Sequence, residues 1–152
     1  MKRAIFATFV FAALGFAQSQ TDFSGNWKLN VGKSEYGMLP PPESLTDKIE
    51  QSKDGISDSV SAVNQQGKTE YVLKFTTDGK ETATKAGGRD VKVTASWDGP
   101  ALVVTTKLDF QGQEVVAKAK WTLSDDKSMM TQTVHLTSPM GEMDQKVVFE
   151  KQ

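Results

Sequence analysis

From Phe23 onward apolar residues recur at every second position, and turn-forming residues interrupt them roughly every ten residues. Such alternation marks strands with one face in a core and the other in water, and so predicts an all-β domain. The first strand places Phe23, Gly25, Trp27, Leu29 and Val31 on one face, with Asn26, Lys28 and Asn30 on the other. Strands are expected at 22–30, 45–52, 56–64, 68–77, 80–85, 90–97, 101–110, 113–123, 128–137 and 142–151. They are bounded by Asp54-Gly55, Gly67, Asp78-Gly79, Gly87-Gly88, Asp98-Gly99, Gly112 and Gly141. Turns this short join antiparallel neighbours. The one irregular stretch, Gly32 to Ser44, contains Pro40-Pro41-Pro42 and is expected to cross one end of the sheet as a loop.

The alternation also assigns faces. Tyr71, Leu73 and Phe75 share one face with Val91, Val93, Ala95 and Trp97, then with Leu102, Val104, Leu108 and Phe110. Val115, Ala117, Ala119, Trp121 and Leu123 continue it, followed by Met130, Val134 and Leu136, then Met143, Val147 and Phe149. Lys74, Lys92, Lys107, Lys118, Lys120, Lys146 and Glu150 occupy the opposite, wet face. No segment has helical periodicity long enough to cover a sheet, so the sheet must close on itself. An antiparallel up-and-down β-barrel of about ten strands satisfies this and removes exposed edges. The same spacing also fits a two-sheet sandwich in Greek-key order.

The N-terminus differs from the rest. Lys2 and Arg3 precede an apolar run from Ala4 to Ala17 that ends in Gly15-Phe16-Ala17 and is too short to span a bilayer. Residues 1–17 read as a signal peptide and 18–152 as one exported barrel domain, periplasmic or secreted; a retained N-terminal anchor is the alternative. No second apolar stretch follows, so no integral membrane association is expected after cleavage. The formal charge is −1, and loss of Lys2 and Arg3 makes the remainder more acidic, which disfavours nucleic acid as a partner. With no cysteine, disulfides and thiol chemistry are excluded.

The opening strand Asp22-Phe23-Ser24-Gly25-Asn26-Trp27-Lys28-Leu29 resembles that of the calycin superfamily, the lipocalins and fatty-acid-binding proteins, which begin with Gly-x-Trp. The closing strand Val148-Phe149-Glu150-Lys151 is similar to that of the fatty-acid-binding branch. Lys33-Ser34-x-Tyr36-Gly37 followed by prolines resembles exported lipocalin-like bacterial proteins of unknown function. The resemblance covers nearly all of 18–152 and implies a structural Trp27 at the closed base of a barrel. Two features depart from it. Residues 31–44 are short and proline-bearing where the fatty-acid-binding branch carries a helical lid. Val147 and Phe149 stand where that branch places the Arg-x-Tyr pair that holds a carboxylate, so the implied anion anchor is missing.

A hollow barrel would offer a lumen for a small hydrophobic or amphipathic molecule. Its candidate lining is Tyr71, Phe75, Trp97, Val104, Phe110, Trp121, Gln145, Val147 and Phe149, with Tyr71 and Gln145 as orienting polar groups. The same residues would equally form a filled core, giving a non-enzymatic envelope protein that contacts protein or polysaccharide through its surface. No cofactor, metal site or catalytic group is expected. His135 alternates outward, and neither His-x-His nor Glu-x-x-His occurs. Asp125-Asp126 fits a turn, and no carboxylate pair is expected in the interior. Arg89, beside Gly87-Gly88, is expected in solvent.

Overall fold

Alternation becomes ten antiparallel strands in the computed structural model, which describes residues 20–152. The expected signal peptide therefore lies outside the described residues. The strands are β1 (Gly25–Leu29), β2 (Ser44–Gln51), β3 (Gly55–Asn64), β4 (Gly67–Thr76) and β5 (Glu81–Ala86). They continue as β6 (Arg89–Asp98), β7 (Ala101–Phe110), β8 (Gln113–Leu123), β9 (Met129–Ser138) and β10 (Gly141–Lys151). Successive strands pair antiparallel except β4 with β5, and β1 pairs with β10 through Trp27↔Lys151 and Leu29↔Phe149. The meander is thus a nearly closed barrel rather than a sandwich. Its one seam is between β4 and β5, which share no backbone ladder.

Among the described residues the only helical element is a 3-10 turn, Val31–Lys33, capped by the Asn30 side chain, which accepts from the Lys33 amide. The turn loops out before Glu35 re-engages β10 opposite Lys146. Val31 consequently faces solvent, at 43% exposure, rather than continuing the inward face of β1.

The two ends of the barrel differ because their inward side chains differ. At the base, where the 51–55, 77–80, 98–101 and 124–128 turns lie, the inward positions hold Trp27, Phe75, Trp97, Leu102, Trp121, Met130 and Phe149. Phe23, fully buried just before β1, plugs this end: its ring stacks on Trp97 at 6.1 Å and meets Trp121 edge-on at 5.9 Å. Towards the other end the inward positions shrink to Thr106, Ala117 and Ala119, and the interior opens. Packing is therefore dense at one end only.

The Gly-x-Trp pattern has a local cause. Gly25 sits at φ +143°, and a Cβ there would come within 2.7 Å of Lys151 Cε. That close approach places the Lys151 ammonium 5.4 Å from the centre of the Trp27 ring. The Trp27 indole N–H in turn donates to the Phe23 carbonyl at 2.9 Å. Trp27 is structural, as the resemblance implies.

Gly55 is a second such contact, since a Cβ there would lie 2.5 Å from the Phe75 carbonyl oxygen. Gly55→Ala is expected to cost about 1–3 kcal/mol through displacement of β3 from β4. Gly32→Ala, where the nearest atom is Asn30 Oδ1 at 3.5 Å, is expected to stay within about 0.5 kcal/mol of the parent. Urea denaturation of both variants checks the contrast.

Candidate ligand-binding cavity

Above the aromatic base is an internal cavity of about 240 Å3. Phe75, Trp121 and Phe149 form its floor, and Val104, Val134 and Val147 contribute apolar walls. Thr106, Ala117 and Ala119 leave the room. Larger hollows, about 580 Å3 over Lys85, Lys92, Lys107 and Glu114 and about 600 Å3 beside Glu50, Ser57 and Lys74, are bordered by outward-facing charged and polar positions. Their linings carry several charged side chains, whereas the charged residues lining the inner cavity are Asp47 and Asp58.

Of the nine residues expected to line the lumen, the structure places Tyr71, Phe75, Val104, Trp121, Val147 and Phe149 around this cavity. Three lie elsewhere. Trp97 belongs to the base plug against Phe23, below the open space. Phe110 ends β7 at the rim, 43% exposed, with the Arg89 guanidinium 4.9 Å from its ring centre. Arg89 is exposed, as expected, with its guanidinium over this ring. Gln145 points to the loop after the 3-10 turn and donates from Nε2 to the Tyr36 carbonyl at 3.2 Å, so it positions the loop. Each lies on the expected inward face, but alternation does not say how far along the barrel axis the open space extends.

The polar content of the cavity is the main correction. Asp47 on β2 and Asp58 on β3 project inward and are only 5% and 4% exposed, so the interior does contain a carboxylate pair. Asp47 is opposite Val60, and Asp58 is opposite Ile49, which makes the two acids diagonal neighbours on one face. Tyr71 is opposite Val60 on the next strand and completes a polar corner. Oδ1 of each aspartate finds no hydrogen-bond partner in the protein. The signal was present in sequence: Leu45, Asp47, Ile49 and Ile56, Asp58, Val60 each set an acid at the centre of an alternating apolar triplet.

Electrostatics follow from this placement. Burial raises the Asp58 carboxyl to about 7, and burial together with the adjacent Asp58 charge raises Asp47 well above the ordinary carboxylate range. Burial, then the charges of Asp47 and Asp58, push the Tyr71 phenol to about 12. No Lys, Arg or His lines the cavity. His135 is on the outer face of β9, as expected, with Nδ1 2.7 Å from Asp144 Oδ1; that hydrogen bond raises its pKa. Among the described residues no cluster of three or more His, Cys, Asp or Glu could hold a metal ion. The cavity can accept hydrogen bonds or bind positive charge at one corner while burying apolar surface elsewhere.

No protein-family model matches the chain, and no curated protein does. Solved structures do share its architecture. A secretory abundant heat soluble protein from Ramazzottius varieornatus aligns with a TM-score of 0.67 at 14% identity, covering 89% of this chain and 98% of that one. Zebrafish ileal bile acid-binding protein complexed with cholic acid gives 0.60 at 17%, covering 86% and 98%. The fatty-acid-binding protein of Manduca sexta gives 0.53 at 20%, covering 85% and 99%. At these identities the likeness is one of fold alone: the chain forms a ten-stranded antiparallel β-barrel like those of these proteins.

Proposed function

We propose that this protein is an exported carrier that binds a small, largely apolar molecule in the barrel lumen and makes or breaks no bond. The observation that carries the reading is the space of about 240 Å3 inside the barrel, floored by Phe75, Trp121 and Phe149 and walled by Val104, Val134 and Val147. Neighbours of the same fold include a fatty-acid-binding protein and one complexed with cholic acid, which supports it. Size limits the ligand. An apolar cavity of about 150 Å3 accepts benzene, whereas drug-sized ligands occupy roughly 300–1,000 Å3. A compact ring or short branched chain fits better than a long acyl chain. The run Ala4–Ala17 behind Lys2 and Arg3 supports export. Fractionation of cells expressing the full chain is expected to recover, outside the cytoplasm, a product beginning at Gln18.

Filling the space tests the lumen directly. Native mass spectrometry of the protein gently purified from its own host is expected to release a small apolar passenger on denaturation. Ala117→Leu with Ala119→Leu would fill the part of the cavity that these two small side chains leave open and is expected to reduce passenger occupancy at least tenfold, with stability held within about 1.5 kcal/mol. A passenger retained at full stoichiometry by the filled, folded variant would place binding outside the barrel. That result would favour the surface-contact reading.

A further inference from the structure

Resting on the lumen as the binding site, we infer that its ligand is a small organic cation, with a protonated nitrogen seated at Asp47 and Asp58 and an apolar body against Phe75, Trp121 and Phe149. Two buried carboxyls that face a cavity with unpartnered oxygens are costly in an empty barrel. They require either protons or a ligand that donates to them. No cationic side chain of the lining supplies the compensation. An ammonium does, because it presents three N–H donors, enough for Asp47 Oδ1 and Asp58 Oδ1 with one left for a further acceptor. Charge-assisted bonds of this kind are about twice as strong as neutral ones. The aromatic floor adds attraction for a cation held over it.

Other ligand chemistries fit less well. A carboxylate or phosphate would face two acids and no base in the lining. Calcium takes 6–8 oxygens and magnesium near-ideal octahedral coordination. The oxygen-bearing side chains among the residues that line the cavity are Asp47, Asp58, Tyr71, Thr106 and Gln132, spread over several strands. Protonation acts in the same sense: burial of both carboxyls and the Asp58 charge beside Asp47 hold the pair partly protonated near neutrality, and an arriving ammonium, which favours the ionised carboxylates, releases protons as it binds. The other titratable lining group, Tyr71, stays neutral throughout this range because its phenol is held near 12.

Three probes share one benzyl or phenyl body of a size the cavity takes: benzylamine, benzyl alcohol and benzoate. Calorimetric titration of the protein at pH 8 is expected to show benzylamine binding at least tenfold tighter than benzyl alcohol, with benzoate weakest. At pH 5, where protons compete for the pair, the benzylamine advantage is expected to shrink below threefold. At pH 6.5, proton release on benzylamine binding should appear as a dependence of the heat on the buffer's ionisation enthalpy. The double variant Asp47→Asn with Asp58→Asn removes buried charge and is expected to fold; in it the preference for benzylamine over benzyl alcohol should be lost. Equal affinity for the amine and the alcohol, or a preference that survives the double variant, overturns the cation assignment and leaves the lumen reading standing. If none of the probes binds, and the filled variant still carries its native passenger, the lumen reading fails and the cation assignment fails with it.

Discussion

Asp58→Asn is expected to stabilise the ligand-free barrel by about 2–4 kcal/mol at pH 8 and to change it by less than about 1 kcal/mol at pH 4. The sign follows from the raised pKa. Burial lifts the Asp58 carboxyl from an ordinary 3.8 to about 7, so between those values the folded state holds a proton that the unfolded chain has released. Stability is therefore greatest in acid and falls as pH rises through about 7. A shift of this size corresponds to a few kcal/mol, at roughly 1.4 kcal/mol per pKa unit, and part of it is shared with Asp47 through their mutual repulsion. Asn has the shape of the protonated acid but cannot ionise, so it removes the penalty at high pH only. Urea denaturation at pH 4, 6 and 8 measures the effect. Adding Asp47→Asn should flatten the profile across the whole interval. A gain of equal size at pH 4 and pH 8 would show that the variant acts through packing and not through charge.

Phe23→Ala is expected to destabilise the barrel by about 3–5 kcal/mol, the range for deleting a buried aromatic ring. Phe23 is fully buried and its ring packs against both Trp97 and Trp121. Its backbone is also tied in place. The Phe23 amide donates to Gln51 Oε1 at 3.0 Å, and its carbonyl accepts from the Trp27 indole at 2.9 Å. The loss would take up much of the 5–15 kcal/mol that holds a domain of this size folded. Thermal and urea unfolding report it, and Trp fluorescence should shift red as water reaches Trp97 and Trp121. A loss below about 1 kcal/mol would mean that the base is held by the strand ladder and not by the plug.

These two positions show where alternation is a sufficient guide. Phe23 could be placed inside from the sequence because it continues the phase of Gly25, Trp27 and Leu29, even though the ladder itself begins only at Gly25. Asp58 was legible by the same phase, between Ile56 and Val60, but an acid is ordinarily an outward residue and its charge argued against its position. The phase was right and the residue type misled. Val31 shows the reverse failure: it is apolar and in phase, but the 3-10 turn at Val31–Lys33 rotates it to solvent.

The sequence alone determined the all-β class, ten strands with their boundaries to within a few residues, and antiparallel pairing, because period-two alternation and Asp-Gly turns are local properties. It also determined that the barrel has an aromatic interior. Only the tertiary structure decided how that interior is divided. Three-dimensional packing put Phe23, Trp97 and Trp121 together as a plug, left Phe110 at the rim under Arg89, and gathered the small side chains of β7 and β8 around one cavity. It alone made Asp47 and Asp58 diagonal neighbours, since the register of β2 against β3 sets that distance. Inward or outward is fixed by each residue's place in its own strand. Height along the barrel axis depends on the stagger of all ten strands, and that stagger makes one set of inward residues a core and another a binding site.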